Sequence, residues 1–153
     1  MNEYKGDFSG KDISLAIVIS RFNEFVSGKL LDGAVDYLTR HDVNMDRVDV
    51  FWVSGAFEIP LTAKKLAKSK RYDGIICIGA VIRGDTPHFS YIAAEVTKGI
   101  AQVALETELP IAYGILTTDT IEQAIERAGT KAGNKGWSAA ETVIEMITLL
   151  RKI

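Results

Sequence analysis

Residues 14–20 read S-L-A-I-V-I-S and residues 75–78 read I-I-C-I, with no polar side chain between the two serines of the first or anywhere in the second. A strand with one wet face alternates polar and apolar residues. A run without alternation must be buried on both faces, as in a parallel sheet covered by helices. The rest of the chain fits that constraint. After 21–24, Val26, Leu30, Leu31, Ala34, Val35 and Leu38 recur at helical spacing and predict a helix to about His41. Residues 47–53 read as a second strand, followed by a helix from about Glu58 to Ser69 that tolerates Pro60 because it lies in the first turn. Residues 74–82 form the third strand and 87–107 the third helix, with Ile92, Val96, Ile100 and Val103 inward. Residues 110–116 form the fourth strand. Asp119 with Glu122 resembles a capping box opening a helix that stops at Gly129. A last helix turns Ala140, Val143, Ile144, Ile147 and Leu150 inward, and residues 3–8 are an edge or exchanged strand.

Strand and helix thus alternate with short connections, which predicts one domain over residues 1–153. Its fold class is α/β, a three-layer α/β/α sandwich on a four-stranded parallel sheet. In such sheets ligands bind beyond the carboxyl ends of the strands, where the strand order reverses.

Composition narrows the partners. With 18 basic and 20 acidic side chains, no whole-protein field points to nucleic acid or to an anionic membrane. The one cysteine, Cys77, lies inside an apolar run, which fits a reducing compartment. No apolar stretch approaches the ~20 residues of a membrane span, and the first residues have no signal-peptide core, so a soluble cytoplasmic protein is expected.

The unusual local sequences all follow predicted strands: S-R-F-N (20–23), S-G-A-F-E-I-P (54–60), G-A-V-I-R-G-D-T-P-H-F (79–89) and, less sharply, T-T-D-T (117–120). Phe22 suits stacking on a flat heterocycle, or else packs the start of its helix. Gly55-Ala56 admits close backbone approach, and Glu58 either accepts from hydroxyl groups or complements its helix dipole. Gly84, Thr86 and the free N–H groups at the start of the third helix suit a phosphate, with Asp85 capping or turned away. Histidine is the side chain whose ordinary pKa lies nearest neutrality, so His88 is either a proton carrier or a helix-start residue with no duty. Arg127, Lys131 and Lys135 around a glycine-rich loop are either anion ligands or helix-capping and solvated cations. His41, at a helix C-terminus, reads as a dipole partner. Cys77, Trp52 and Trp137 read as packing residues. No spacing fits a metal site, and G-x-G-x-x-G, P-loop and G-x-S-x-G patterns are absent.

Together with I-E-Q-A-I-E-R-A-G-T-K-A-G-N-K-G (121–136), these segments resemble the lumazine synthases over residues 17–146. The resemblance implies a flavodoxin-like sheet. It also implies condensation of 5-amino-6-(D-ribitylamino)uracil with 3,4-dihydroxy-2-butanone 4-phosphate, a step of riboflavin biosynthesis that uses no cofactor. By the same resemblance Phe22 stacks on the pyrimidine and Ala56, Phe57 and Glu58 hold the ribityl chain. The backbone of Ala80, Val81 and Ile82 reads the ring edge. Asp85, Thr86 and Arg127 bind phosphate, and His88 transfers protons. Tyr113 and the basic loop with Lys135 reach in from a neighbouring subunit of a pentamer. The compact 129–136 loop resembles that of relatives whose pentamers build icosahedral capsids, with riboflavin synthase as a candidate cargo. Three positions depart from the family pattern: Tyr113 stands where phenylalanine is usual, and Ser90 and Ser138 where acidic residues are common. Two alternatives stay open, a non-catalytic flavin- or lumazine-binding shell protein and a riboflavin synthase of the same fold.

Overall fold

The computed structural model describes residues 1–129 and 133–153. At its centre lies a four-stranded parallel sheet in the order β2-β1-β3-β4. The strands are β1 (Leu15–Ser20), β2 (Val48–Val53), β3 (Gly74–Ile82) and β4 (Ile111–Thr118). Helices α1 (Glu24–Arg40), α2 (Ile59–Lys68), α3 (His88–Thr107), α4 (Ile121–Arg127) and α5 (Lys135–Leu150) complete the order in the chain. The chain runs from β1 to β2 on one side, then crosses to β3 on the other, so the reversal falls between β1 and β3.

Successive strand residues face opposite ways, and the apolar runs therefore feed two cores. Leu15, Ile17, Ile19, Ile76 and Ile78 pack with Leu30 and Leu38 of α1 and Val143, Ile144 and Ile147 of α5. Ala16, Val18, Ile75 and Cys77 pack with Ile59 and Ala63 of α2 and Val96 and Ile100 of α3. This is the expected α/β/α sandwich. Each fully buried isoleucine contributes roughly 1.5–3 kcal/mol. The edge strand β2 is the exception. Its Val50 is 40% and its Trp52 39% exposed, so Trp52 stands on an uncovered edge rather than in the core.

One amide side chain ties three helices together. Asn134 caps α5 by accepting from Trp137 N–H at 3.1 Å, and its Nδ2 donates to Lys29 O of α1 at 2.9 Å and to Ala128 O beyond α4 at 3.0 Å. Beside it, α1 and α5 touch backbone to side-chain position, because a Cβ on Gly136 would overlap the Leu30 carbonyl. Trp137 packs edge-on against Tyr37, whose ring stacks on His41 at 3.8 Å. His41 Nδ1 also lies 2.8 Å from Tyr37 O, so this histidine is a packed residue as well as a helix-end one.

Two local expectations need correction. The cap of α4 lies one residue later than expected. Thr120 Oγ1 accepts from Gln123 N–H at 3.1 Å, and Gln123 Oε1 accepts from Asp119 N–H at 2.9 Å. Asp119 is drawn off to Arg83, 2.8 Å away. Of the two readings of residues 3–8, the edge strand is the one corrected: the segment forms no strand among the described residues of this chain. Instead it is held to the end of α5. Asp7 N–H donates to Thr148 Oγ1 at 2.8 Å, and Lys152 Nζ donates to Lys5 O at 2.7 Å. No helix among the described residues is long and apolar enough to cross a membrane.

Gly136→Ala should lower unfolding stability by about 3 kcal/mol, because the clash is with backbone. Gly28→Ala, in open space on α1, should raise it by about 0.5–1 kcal/mol. Urea titration of both variants checks the close crossing, which equal shifts would contradict. Cys77 is fully buried, and burial pushes its thiol pKa from 9.0 up to about 12. Unfolding restores the ordinary value. Stability from this group is therefore complete below about pH 9 and declines as pH rises towards about 12. A thiol-reactive dye at about pH 8 should label the denatured chain and spare the native one.

Candidate active site

The carboxyl ends of the strands, at the reversal between β1 and β3, enclose a cavity of about 560 Å³. Four segments supply its walls. Phe22 comes from the β1–α1 turn, residues 55–58 from the β2–α2 connection, residues 80–82 from the end of β3, and Gly84, Thr86, His88, Phe89 and Ile92 from the turn into α3 and its first helical turns. Of the residues singled out from the sequence, Phe22, Ala56, Phe57, Glu58, Ala80, Val81, Ile82, Thr86 and His88 are brought together here.

Phe22 is 72% exposed and Phe57 60% exposed, so both rings present open faces. The position of Phe22 is set by its backbone. Arg21 N–H donates to Val53 O at 2.8 Å and Phe22 N–H to Ser54 O at 3.0 Å, which docks the turn onto the end of β2. Glu58 reaches back so that its Oε2 accepts from Gly55 N–H at 3.0 Å. That bond fixes the 55–58 turn and leaves the carboxylate's remaining lone pairs for other donors.

No side chain caps α3, which starts after Pro87. Its first backbone N–H groups and the positive end of its dipole therefore lie beside Gly84 and Thr86, an arrangement that attracts an anion. Asp85 does not line the cavity and supplies no cap. His88 opens the helix on the exposed side, and among the described residues its side chain makes no hydrogen bond or ion pair. Position 90 offers it no carboxylate: Ser90 uses its N–H on Pro87 O at 3.0 Å.

Tyr113, Arg127 and Lys135 do not line this cavity. Tyr113 sits mid-strand in β4, opposite Cys77, and its hydroxyl is 2.8 Å from Thr97 Oγ1 on α3. The hydroxyl that phenylalanine would lack is thus satisfied inside the chain. Arg127 ends α4 and Lys135 begins α5, both exposed. Ser138 directs its hydroxyl to Asn134 O at 3.4 Å. Lys131, singled out with these cations, lies outside the described residues along with Thr130 and Ala132. No group of three metal-ligating side chains occurs among the described residues.

Sequence reasoning missed Phe89 as a wall of the cavity and placed Ile92 only in the core. Ile92 lies four residues beyond His88 and three beyond Phe89, so it neighbours both on the helix surface, a signal that was available. Arg83 braces this wall. Its guanidinium lies 4.6 Å from the Phe89 ring centroid and pairs with Asp119 at 2.8 Å, while its N–H donates to Thr118 O at 2.9 Å.

The family model described as 6,7-dimethyl-8-ribityllumazine synthase matches residues 12–151. Among solved structures, the chain is similar to a GDP-L-fucose synthetase from Naegleria fowleri at 8% identity and a TM-score of 0.41. That alignment covers 95% of this chain and 45% of the other. A likeness that loose carries no argument about the site, whereas the family match spans nearly every element that builds it. The chain belongs to the 6,7-dimethyl-8-ribityllumazine synthase family.

Proposed function

We propose that the chain condenses 5-amino-6-(D-ribitylamino)uracil with 3,4-dihydroxy-2-butanone 4-phosphate. The products are 6,7-dimethyl-8-ribityllumazine, phosphate and two waters, in the penultimate step of riboflavin biosynthesis. The observation that carries this reading is that Phe22, Glu58, the 80–82 backbone, Thr86 and His88 line one cavity. Phe22 stacks on the pyrimidine, and the 80–82 backbone meets the ring's polar edge. The 56–58 segment takes the ribityl hydroxyls. Thr86, the Asp85 backbone and the uncapped start of α3 take the phosphate, together with Arg127 and Lys135. The amine of one substrate attacks the ketone of the other and a first water leaves to give an imine. Phosphate leaves by elimination to an enol that becomes a ketone, and the second amine attacks that carbonyl and closes the ring with loss of a second water. Each step moves a proton, and this reading gives that task to His88, for a gain of roughly 10²–10⁴. Holding two reactants together in one cleft supplies much of the remainder.

The same reading makes the protein a homo-oligomer. Arg127, Lys135 and Tyr113 do not line the cavity of their own chain, and Phe22, Phe57 and Leu61 are 60–72% exposed. A neighbouring subunit in a pentamer brings the first set to the cavity and covers the second. Pentamers of this kind assemble into an icosahedral capsid with room for a cargo such as riboflavin synthase. The N-terminal residues 3–8 pair with a neighbour in that assembly.

Mixing the two substrates with purified protein should produce lumazine fluorescence. His88→Ala should slow it by about 10²-fold or more, and Arg127→Ala should raise KM for the phosphate substrate. Unchanged rates in both variants would remove these roles. Tight lumazine binding with no turnover would indicate a non-catalytic shell protein instead, and riboflavin formed from lumazine alone would indicate a riboflavin synthase. Light scattering should report a capsid-sized particle; a pentamer-sized one would rule out the shell.

A further inference from the structure

Asn23 does something unusual for its place. It immediately precedes α1, where asparagine normally accepts from the second or third N–H of the helix, yet it makes no side-chain cap bond. Its backbone is left-handed, at φ 61° and ψ 45°, a conformation costly for most residues and tolerated by asparagine and glycine. Its side chain turns the other way. Nδ2 donates to the Ala80 carbonyl at 3.1 Å, across 57 residues of chain.

The register shows why that carbonyl needs a donor. The ladder between β1 and β3 ends at Ile19↔Ile78, so Ala80 lies beyond the last paired residue of β1. The Asn23 amide acts as the missing rung. It also closes a frame around the cavity. The turn carrying Phe22 is docked on the end of β2 by Arg21 N–H and Phe22 N–H, and Asn23 docks the same turn on the end of β3. Phe22, exposed as it is, has little side-chain packing to hold it. The span between its ring and the 80–82 backbone is therefore set by this frame.

We infer that Asn23 is a positioning residue for the pyrimidine substrate. It holds the stacking ring and the edge-reading backbone at the spacing of one flat heterocycle, and it spends a helix cap and a left-handed conformation to do so. This inference rests on the proposed function, which assigns a heterocycle to that gap. It concerns the ring-binding half of the cavity and leaves the phosphate half alone.

Asn23→Gly keeps the left-handed backbone and deletes the bond. It should raise KM for 5-amino-6-(D-ribitylamino)uracil roughly tenfold, the scale of one lost hydrogen bond. KM for 3,4-dihydroxy-2-butanone 4-phosphate should stay near wild type, and the unfolding midpoint should fall only as far as one lost hydrogen bond takes it. Asn23→Asp, which sets a carboxylate against the carbonyl, should weaken pyrimidine binding further. Equilibrium binding of 6,7-dimethyl-8-ribityllumazine, followed by its fluorescence, should show the same order. A merely structural role would move both KM values together and would overturn the inference. So would a working wild type whose Asn23→Gly variant matches it, with the proposed function left intact. A wild type that neither turns over nor binds lumazine would overturn both.

Discussion

β1 and β3 lie side by side at the centre of the sheet, and neither has a wet face. The pairing from Leu15↔Gly74 to Ile19↔Ile78 puts ten residues of almost wholly apolar strand where water cannot reach them. Helices must cover both sides, and the chain must cross from one side of β1 to the other to place β3. That crossing opens the crevice at the carboxyl ends. The cavity, its four walls and the turn bearing Phe22 all follow from where this central pair ends.

What the strands leave unpaired there becomes the working material of the site. Ladder bonds satisfy backbone groups along the strands, but beyond Ile19 and Ile78 the main chain needs other partners. Val53 and Ser54 carbonyls accept from the 21–22 backbone, Ala80 O from Asn23, and Thr118 O from Arg83 N–H. Each bond joins a loop to a strand end it does not follow in sequence. Arg83 adds a side-chain brace, since its pairing with Asp119 and its contact with Phe89 couple the ends of β3 and β4 to the first turn of α3. The loops are thereby held as a rigid rim.

The strands, the helices and the cavity walls were legible because they rest on local pattern: apolar runs, helical spacing and turn residues after each run. Contacts between distant segments were not. Asp119 reads as a cap because it precedes an apolar helix, but a cation from β3 competes for it, and Thr120 takes over the cap. Asn23 reads as one more turn residue until its partner, 57 positions on, is known. Trp52 looks like core by composition and stands on an edge, because burial of an edge strand depends on what lies beyond the sheet. Residues 3–8 have weak alternation and no strand beside them in their own chain. Tyr113 was singled out by resemblance alone, whereas Arg127 and Lys135 stood out as cations around a glycine-rich loop, and nothing local decides between anion binding and solvation for them.

The electrostatics of the proposed phosphate site argue for the same missing contribution. An uncapped helix start carries about half an elementary positive charge, and Thr86 adds one hydroxyl. A phosphate monoester brings close to two negative charges near neutral pH, and Asp85 and Glu58 stand in adjoining segments. On those terms the phosphate half of the cavity in a single chain is short of positive charge. The cations the proposed reading assigns to it, Arg127 at the end of α4 and Lys135 at the start of α5, do not line it in their own chain. The two rings at the mouth, Phe22 and Phe57, are likewise left open to water. One event, the docking of a second copy with its α4–α5 corner against the mouth, would supply the charge and bury the rings together. Catalytic competence and assembly then become a single equilibrium on the proposed reading, and dilution that separates subunits would cost phosphate affinity before it cost the fold.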